Sequence, residues 1–141
     1  MITEDYVSFE TAKLLKEKGF NEDCRAFYKE WNREIIFCPC TTSHLFEYCH
    51  NSMLEYYNDK EETNIAAPTL QMAMKWLREV CKIQIEILIV GEEDKEIFAA
   101  TRWVYGWRIQ SPKFIDRHQC TFTSHEQACE AAIKYCLENL I

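Results

Sequence analysis

The chain has 141 residues, 48 % of them hydrophobic and 28 % charged, with three glycines, three prolines and a net charge of −7. A chain of that length removes about 68 % of its unfolded surface from water, so a core forms without staples, and the composition excludes a disordered or fibrous chain. No apolar run approaches the roughly 20 residues of a membrane helix, and the start carries Glu4 and Asp5 in place of a basic, apolar leader. These features predict a single cytoplasmic domain over 1–141, with its eight cysteines reduced and several of them serving as small apolar residues.

Ser8 caps a helix over 9–18, and Gly19 followed by Phe20 supplies its C-terminal stop. Residues 25–31 and 34–38 flank Asn32 and Arg33 as two strands of a hairpin. Residues 41–50 suit a short helix and 58–64 a charged loop. Pro68 then opens a helix over 68–81. At 100° per residue its polar members Gln71, Lys75, Arg78, Glu79 and Lys82 fall within about 100° of arc, leaving an apolar arc of roughly 200°. An arc that wide is either covered by a second element or offered to a partner, in which case Met72, Trp76 and Val80 are the contact residues.

Residues 83–90 and 97–109 form a second hairpin around an acidic turn at 91–96, and a further strand covers 114–122. Ser124 with Gln127 three positions on is a capping box for a last helix reaching Asn139. On that helix Cys129, Ile133, Cys136 and Leu140 share the sheet-facing side, and Glu130, Lys134 and Glu138 face water. The expected fold is therefore α+β: a two-layer sandwich in which an antiparallel sheet of three to five strands carries three main helices, 9–18, 68–81 and 124–139, mainly on one face. Residues 66–141 read α-β-β-β-α.

The densest set of metal-ligating residues is Cys38, Cys40, His44, Cys49 and His50, five within thirteen positions, but not at a standard zinc spacing. A structural zinc there is the one cofactor the sequence allows. A cysteine–histidine nucleophile in the same stretch lacks an oxyanion-hole signature, and no P-loop, dinucleotide fingerprint or HExxH is present. Alternation along 102–109 places Trp103, Tyr105, Trp107 and Ile109 on one side and Arg102, Val104, Gly106 and Arg108 on the other. The aromatic row suits a core face under helices; as a rival use, it stacks nucleobases beside Arg102 and Arg108. Charge argues against nucleic acid as the partner, because residues 1–65 carry 7 basic against 13 acidic side chains and residues 66–141 carry 9 against 10.

The helix–three strands–helix order of the second half resembles a double-stranded RNA-binding domain in topology alone: where that family places phosphate-gripping basic residues at the start of the last helix, this chain has the acidic stretch 124–130. The strings at 6–20, 67–80 and 130–140 resemble a family of small uncharacterised proteins of Bacteroides-type gut bacteria and their phages and prophages. That resemblance covers about a third of the chain and implies a bacterial or phage accessory protein with no assigned activity. Together these readings favour a non-enzymatic protein-interaction module, self-associating or bound to a protein partner. Its rivals are a nucleic-acid-associated regulator and an enzyme whose site is dispersed through the sequence.

Overall fold

A computed structural model describes residues 2–38, 47–57, 63–94, 99–112 and 114–141. The fold is α+β, and the chain divides into two compact units, Met1–Ala73 and Met74–Ile141. Among the described residues no helix is long and apolar enough to cross a membrane.

In the first unit, helix α1 (Phe9–Glu17) starts where extended Ser8 accepts the Thr11 N–H on its hydroxyl, 3.3 Å away. It stops in a Schellman turn: Gly19 at φ 91° lets the Phe20 N–H reach the Leu15 carbonyl at 2.9 Å and its own N–H the Lys16 carbonyl at 3.1 Å. Phe20 then folds into the core beside Val7, Ala12 and Leu15. Strands β1 (Ala26–Lys29) and β2 (Ile35–Phe37) form the expected hairpin, with Arg33 in the left-handed region and the Asn32 side chain accepting the Glu34 N–H. Helix α2 spans Asn51–Tyr57, and β3 (Asn64–Ala66) pairs with the other side of β1, giving the order β2-β1-β3.

Two sequence expectations shift here. Of the short helix expected at 41–50, residues 41–46 lie outside the described set; residues 47–50 carry a bend and a bridge, and α2 begins at Asn51. The loop expected at 58–64 ends one residue early, because Asn64 pairs with Lys29 at the start of β3; residues 58–62 lie outside the described set.

Buried Asn51 explains why α2 begins where it does. Its Nδ2 donates to the Phe20 carbonyl at 2.7 Å and its Oδ1 accepts the Ala66 N–H at 2.9 Å. One side chain thus satisfies a carbonyl just beyond α1 and a donor on β3, both of which would otherwise be stranded from water.

Helix α3 (Leu70–Glu79) crosses the boundary between the units. The second unit continues with β4 (Gln84–Asp94), β5 (Ala99–Ser111), β6 (Phe114–Phe122) and α4 (His125–Asn139). The three strands form an antiparallel meander in the order β4-β5-β6, and α4 packs on them, chiefly on β5. Ser124 caps α4 by accepting the Gln127 N–H at 3.2 Å, while Gln127 reaches back to Thr123 instead of completing the box on Ser124. Cys129, Ile133 and Cys136 are buried as the periodicity requires, joined by Ala128, Ala132 and Leu137.

The strands are thus divided between two three-stranded antiparallel sheets rather than gathered in one. In each, the middle strand, β1 or β5, has both edges occupied and cannot join the other set. The helices divide likewise, α1 and α2 packing on β3 and α4 on the second sheet.

Because the Asn51 amide serves two buried backbone groups, Asn51→Ala is expected to destabilise the chain by about 2–4 kcal/mol. A urea-unfolding midpoint lowered accordingly, with unchanged slope, is the readout.

Candidate functional site

The pairing of β4 with β5 sets out a surface along β4. Ile85 stands opposite Ile109, Ile87 opposite Trp107 and Ile89 opposite Tyr105, so these six share the face that α4 covers. The Trp107 ring lies 5.0 Å from that of Tyr135, and Tyr105 meets His125, the first residue of α4, edge-on at 6.3 Å. At the Ile85–Ile109 end cover is complete and both side chains are buried. Farther along, α4 begins over β5 at Tyr105, and Ile89 on the outer strand is left 60 % exposed.

The opposite face carries Glu86, Leu88 and Val90 facing Arg108, Gly106 and Val104. Glu86 and Arg108 lie 3.7 Å apart. Gly106 is required where it is: a Cβ there would meet Cys120 Sγ and stand 2.6 Å from the Gln119 carbonyl oxygen, so β5 and β6 approach too closely for a side chain. Val90 is 41 % exposed.

Exposure of adjacent residues is informative, because neighbours on a strand point to opposite faces. Ile89 is exposed on one side and Val90 in part on the other, although Val104, across the ladder from Val90, is buried. The outer edge of β4 pairs with nothing among the described residues. Natural edge strands are blunted with lysine, proline, bulges or brevity, yet 84–94 has eleven residues without Lys, Arg or Pro, and its one register break comes late, between Glu92 and Glu93. The remaining edges are better protected: β2 and β3 have three residues each, and the β5–β6 ladder is broken twice.

The residues singled out from sequence are distributed as follows. On α3, Trp76 is 7 % exposed, Met72 is half-buried and receives the Cys24 thiol at 3.9 Å, and Val80 is 59 % exposed. Leu70, Ala73 and Leu77 are also buried, so the wide apolar arc is largely covered within the chain. Of the aromatic row, Trp107 is 4 % exposed and Tyr105 half-buried, while Arg108 lies beside Glu86. Arg102 and Trp103 stand on β5 opposite Glu92 and Gly91, and their side chains lie outside the described residues.

In the cysteine–histidine stretch, Cys40 and His44 lie outside the described residues. Cys49 pairs with Cys24 through reciprocal backbone hydrogen bonds of 2.7 and 2.8 Å, and its thiol donates to the Ala26 carbonyl. Half-buried Cys38 donates its N–H to the Arg25 carbonyl at 2.7 Å. The Nδ1 of His50 lies 3.3 Å from the Met53 N–H, where it serves the start of α2. No group of three or more His, Cys, Asp or Glu is placed to hold a metal among the described residues.

The first unit also has an open cavity of about 160 Å³, lined by Glu4, Tyr6, Asp23, Cys24, Arg25 and Tyr48 among others. Its guanidinium lies 5.3 Å from the centre of the Tyr48 ring and donates to the phenol oxygen at 3.2 Å. Burial raises the Cys24 thiol to about 12, with the charge of Asp23 adding to the effect, so this thiol stays protonated at neutral pH.

The open edge of β4 was not legible in the sequence, where 83–90 is one ordinary strand of a hairpin. A signal was present: an eleven-residue run at the start of a meander that lacks Lys, Arg and Pro.

Burial likewise holds the Cys136 thiol at about 12 and raises that of Cys49. A thiol near its ordinary value of 9.0 in the unfolded chain releases its proton first, so the folded state binds more protons between about pH 9 and 12 and stability falls as pH rises through that window. Each such thiol contributes a slope of up to about 1.4 kcal/mol per pH unit. Urea midpoints measured from pH 8 upward should decline less steeply in Cys136→Ala than in the unsubstituted chain.

No family model matches the chain, and no curated protein or solved structure matches it either.

Proposed function

We propose that this chain is a non-enzymatic protein-interaction module that binds through the outer edge of β4. The observation that carries the reading is the exposure of Ile89 and Val90 on opposite faces of an eleven-residue edge strand whose hydrogen-bonding groups have no partner strand among the described residues. Such an edge supplies affinity from the backbone and selectivity from side chains on each face. It favours a protein partner over nucleic acid, since Trp107 is enclosed, Arg108 has Glu86 beside it, and the chain carries an acidic excess. The resemblance of its helical strings to small accessory proteins of gut bacteria and their phages agrees with a binding role.

Affinity capture from the cell of origin tests this reading, with Ile89→Lys and Val80→Lys compared against the unsubstituted chain. A charged side chain on an edge discourages strand addition while leaving the ladder with β5 in place. Captured proteins should fall at least about tenfold with Ile89→Lys, the loss expected for a contact of roughly 1.4 kcal/mol or more, and remain with Val80→Lys. Loss with Val80→Lys alone would transfer the surface to α3, and an unchanged set with both would contradict an apolar docking surface.

A further inference from the structure

The first unit brings together two soft ligands from positions 48 residues apart. The Cys24 Sγ and Met72 Sδ lie 3.9 Å from each other, and the thiol has the Glu22 carbonyl, 3.4 Å away, as its other acceptor. Both side chains line the open cavity of about 160 Å³, together with Tyr6, Pro68 and the carboxylates of Glu4 and Asp23. Cys24 is 1 % exposed, and its backbone is held by the reciprocal 2.7 and 2.8 Å hydrogen bonds with Cys49. Met72 is half-buried on α3. The two sulfurs thus meet at a fixed place in the wall of a cavity open to solvent.

We propose that Cys24 and Met72 bind a soft monovalent metal ion, Cu(I), in the wall of this cavity. Thiolate and thioether ligands select Cu(I), zinc or iron–sulfur clusters, and charge and ligand number decide among these. The ion takes the place of the thiol proton between the two sulfurs, so one positive charge replaces another and the buried site stays neutral, whereas a divalent ion leaves a net charge there. In the exchange the Cys24 S–H bond breaks, an S–Cu bond forms, a Met72 lone pair supplies the second bond and the proton passes to solvent, with no change of oxidation state. The spacing fits: an ion about 2.3 Å from each sulfur, the usual length of a sulfur bond to a d10 ion, makes an angle of about 116° across a 3.9 Å pair, close to trigonal. Zinc is the poorer occupant, because it takes four ligands, and no group of three or more His, Cys, Asp or Glu is placed to hold a metal among the described residues. Glu4 and Asp23 draw a cation to the cavity, and the guanidinium of Arg25, which opposes it, is engaged with Tyr48.

The test delivers Cu(I) as its bicinchoninate complex, under nitrogen, to the full chain carrying isotopically labelled methionine methyl groups, so that the thioether itself is observed by NMR. Metal should pass from the chelator to the protein, and the Met72 methyl resonance should move with the first equivalent while those of Met53 and Met74 stay. Cys24→Ser should abolish that shift, with the unmoved Met53 and Met74 resonances reporting that the fold is kept. Met72→Leu, a near-isosteric change that leaves every cysteine in place, should weaken Cu(I) retention at least about tenfold. Uptake of the first equivalent with the Met72 methyl unmoved would assign the metal to other thiols and overturn the proposal, as would Met72→Leu holding Cu(I) as tightly as the unsubstituted chain. No transfer from the chelator would overturn it as well. Zinc chloride added in parallel should leave the Met72 methyl in place, and an equal shift would overturn the assignment to a monovalent ion. None of these readouts involves β4, so the result is separate from that of the docking surface.

Discussion

β5 is hydrogen-bonded on both sides, and that constraint governs the second unit. Once β4 and β6 occupy its edges, the pleat sets Ile85, Ile87, Ile89, Tyr105, Trp107 and Ile109 on one face, and α4 must lie there to bury them. Close approach of β6 requires Gly106, whose missing side chain admits Cys120. A single helix centred on the middle strand does not shelter all of an outer strand eleven residues long. The exposure of Ile89 follows from a helix centred on the middle strand, and the eleven residues of β4 include no Lys, Arg or Pro to blunt that edge.

The first unit solves its polar accounting differently. Its strands are too short to satisfy the backbone by ladders alone, so side chains take over: Asn51 joins the end of α1 to β3, the Tyr28 hydroxyl donates to the Val7 carbonyl at 2.7 Å, and His50 serves the start of α2. The cysteines belong to the same economy of small buried groups. Cys24 and Cys49 face each other across a bridge in the core, with burial holding both thiols protonated well above their usual range. Cys49 and His50, candidate metal ligands from sequence, take part in these local contacts: the Cys49 thiol donates to the Ala26 carbonyl and His50 accepts the Met53 N–H.

The sequence disclosed its helices well because they are punctuated by chemistry. Ser8, Gly19 and Ser124 cap and stop α1 and α4 as read, and the pattern 129, 133, 136 names the buried side of α4. Both hairpins were legible from their apolar runs, although β4 continues to Asp94 through residues 91–94 that were expected to turn. β3 was not: three residues, Asn64–Ala66, are too few for alternation to register, and only long-range pairing with β1 makes them a strand. The division into two sheets was hidden for the same reason, since which edges pair is decided in space. Composition drew attention to the wide apolar arc of α3, yet the tertiary structure buries Trp76 there and opens a surface on β4, where the sequence shows only an ordinary apolar strand.

An open outer edge on β4 in the free protein is the claim on which the functional account rests, and amide hydrogen exchange followed residue by residue measures it directly. Inward amides of 84–94 bond to β5, while the alternate, outward amides face no partner strand among the described residues, so protection should alternate along the strand, with outward positions exchanging at least about a hundredfold faster. Uniform strong protection along 84–94 would mean that the edge is already paired, and would contradict the account.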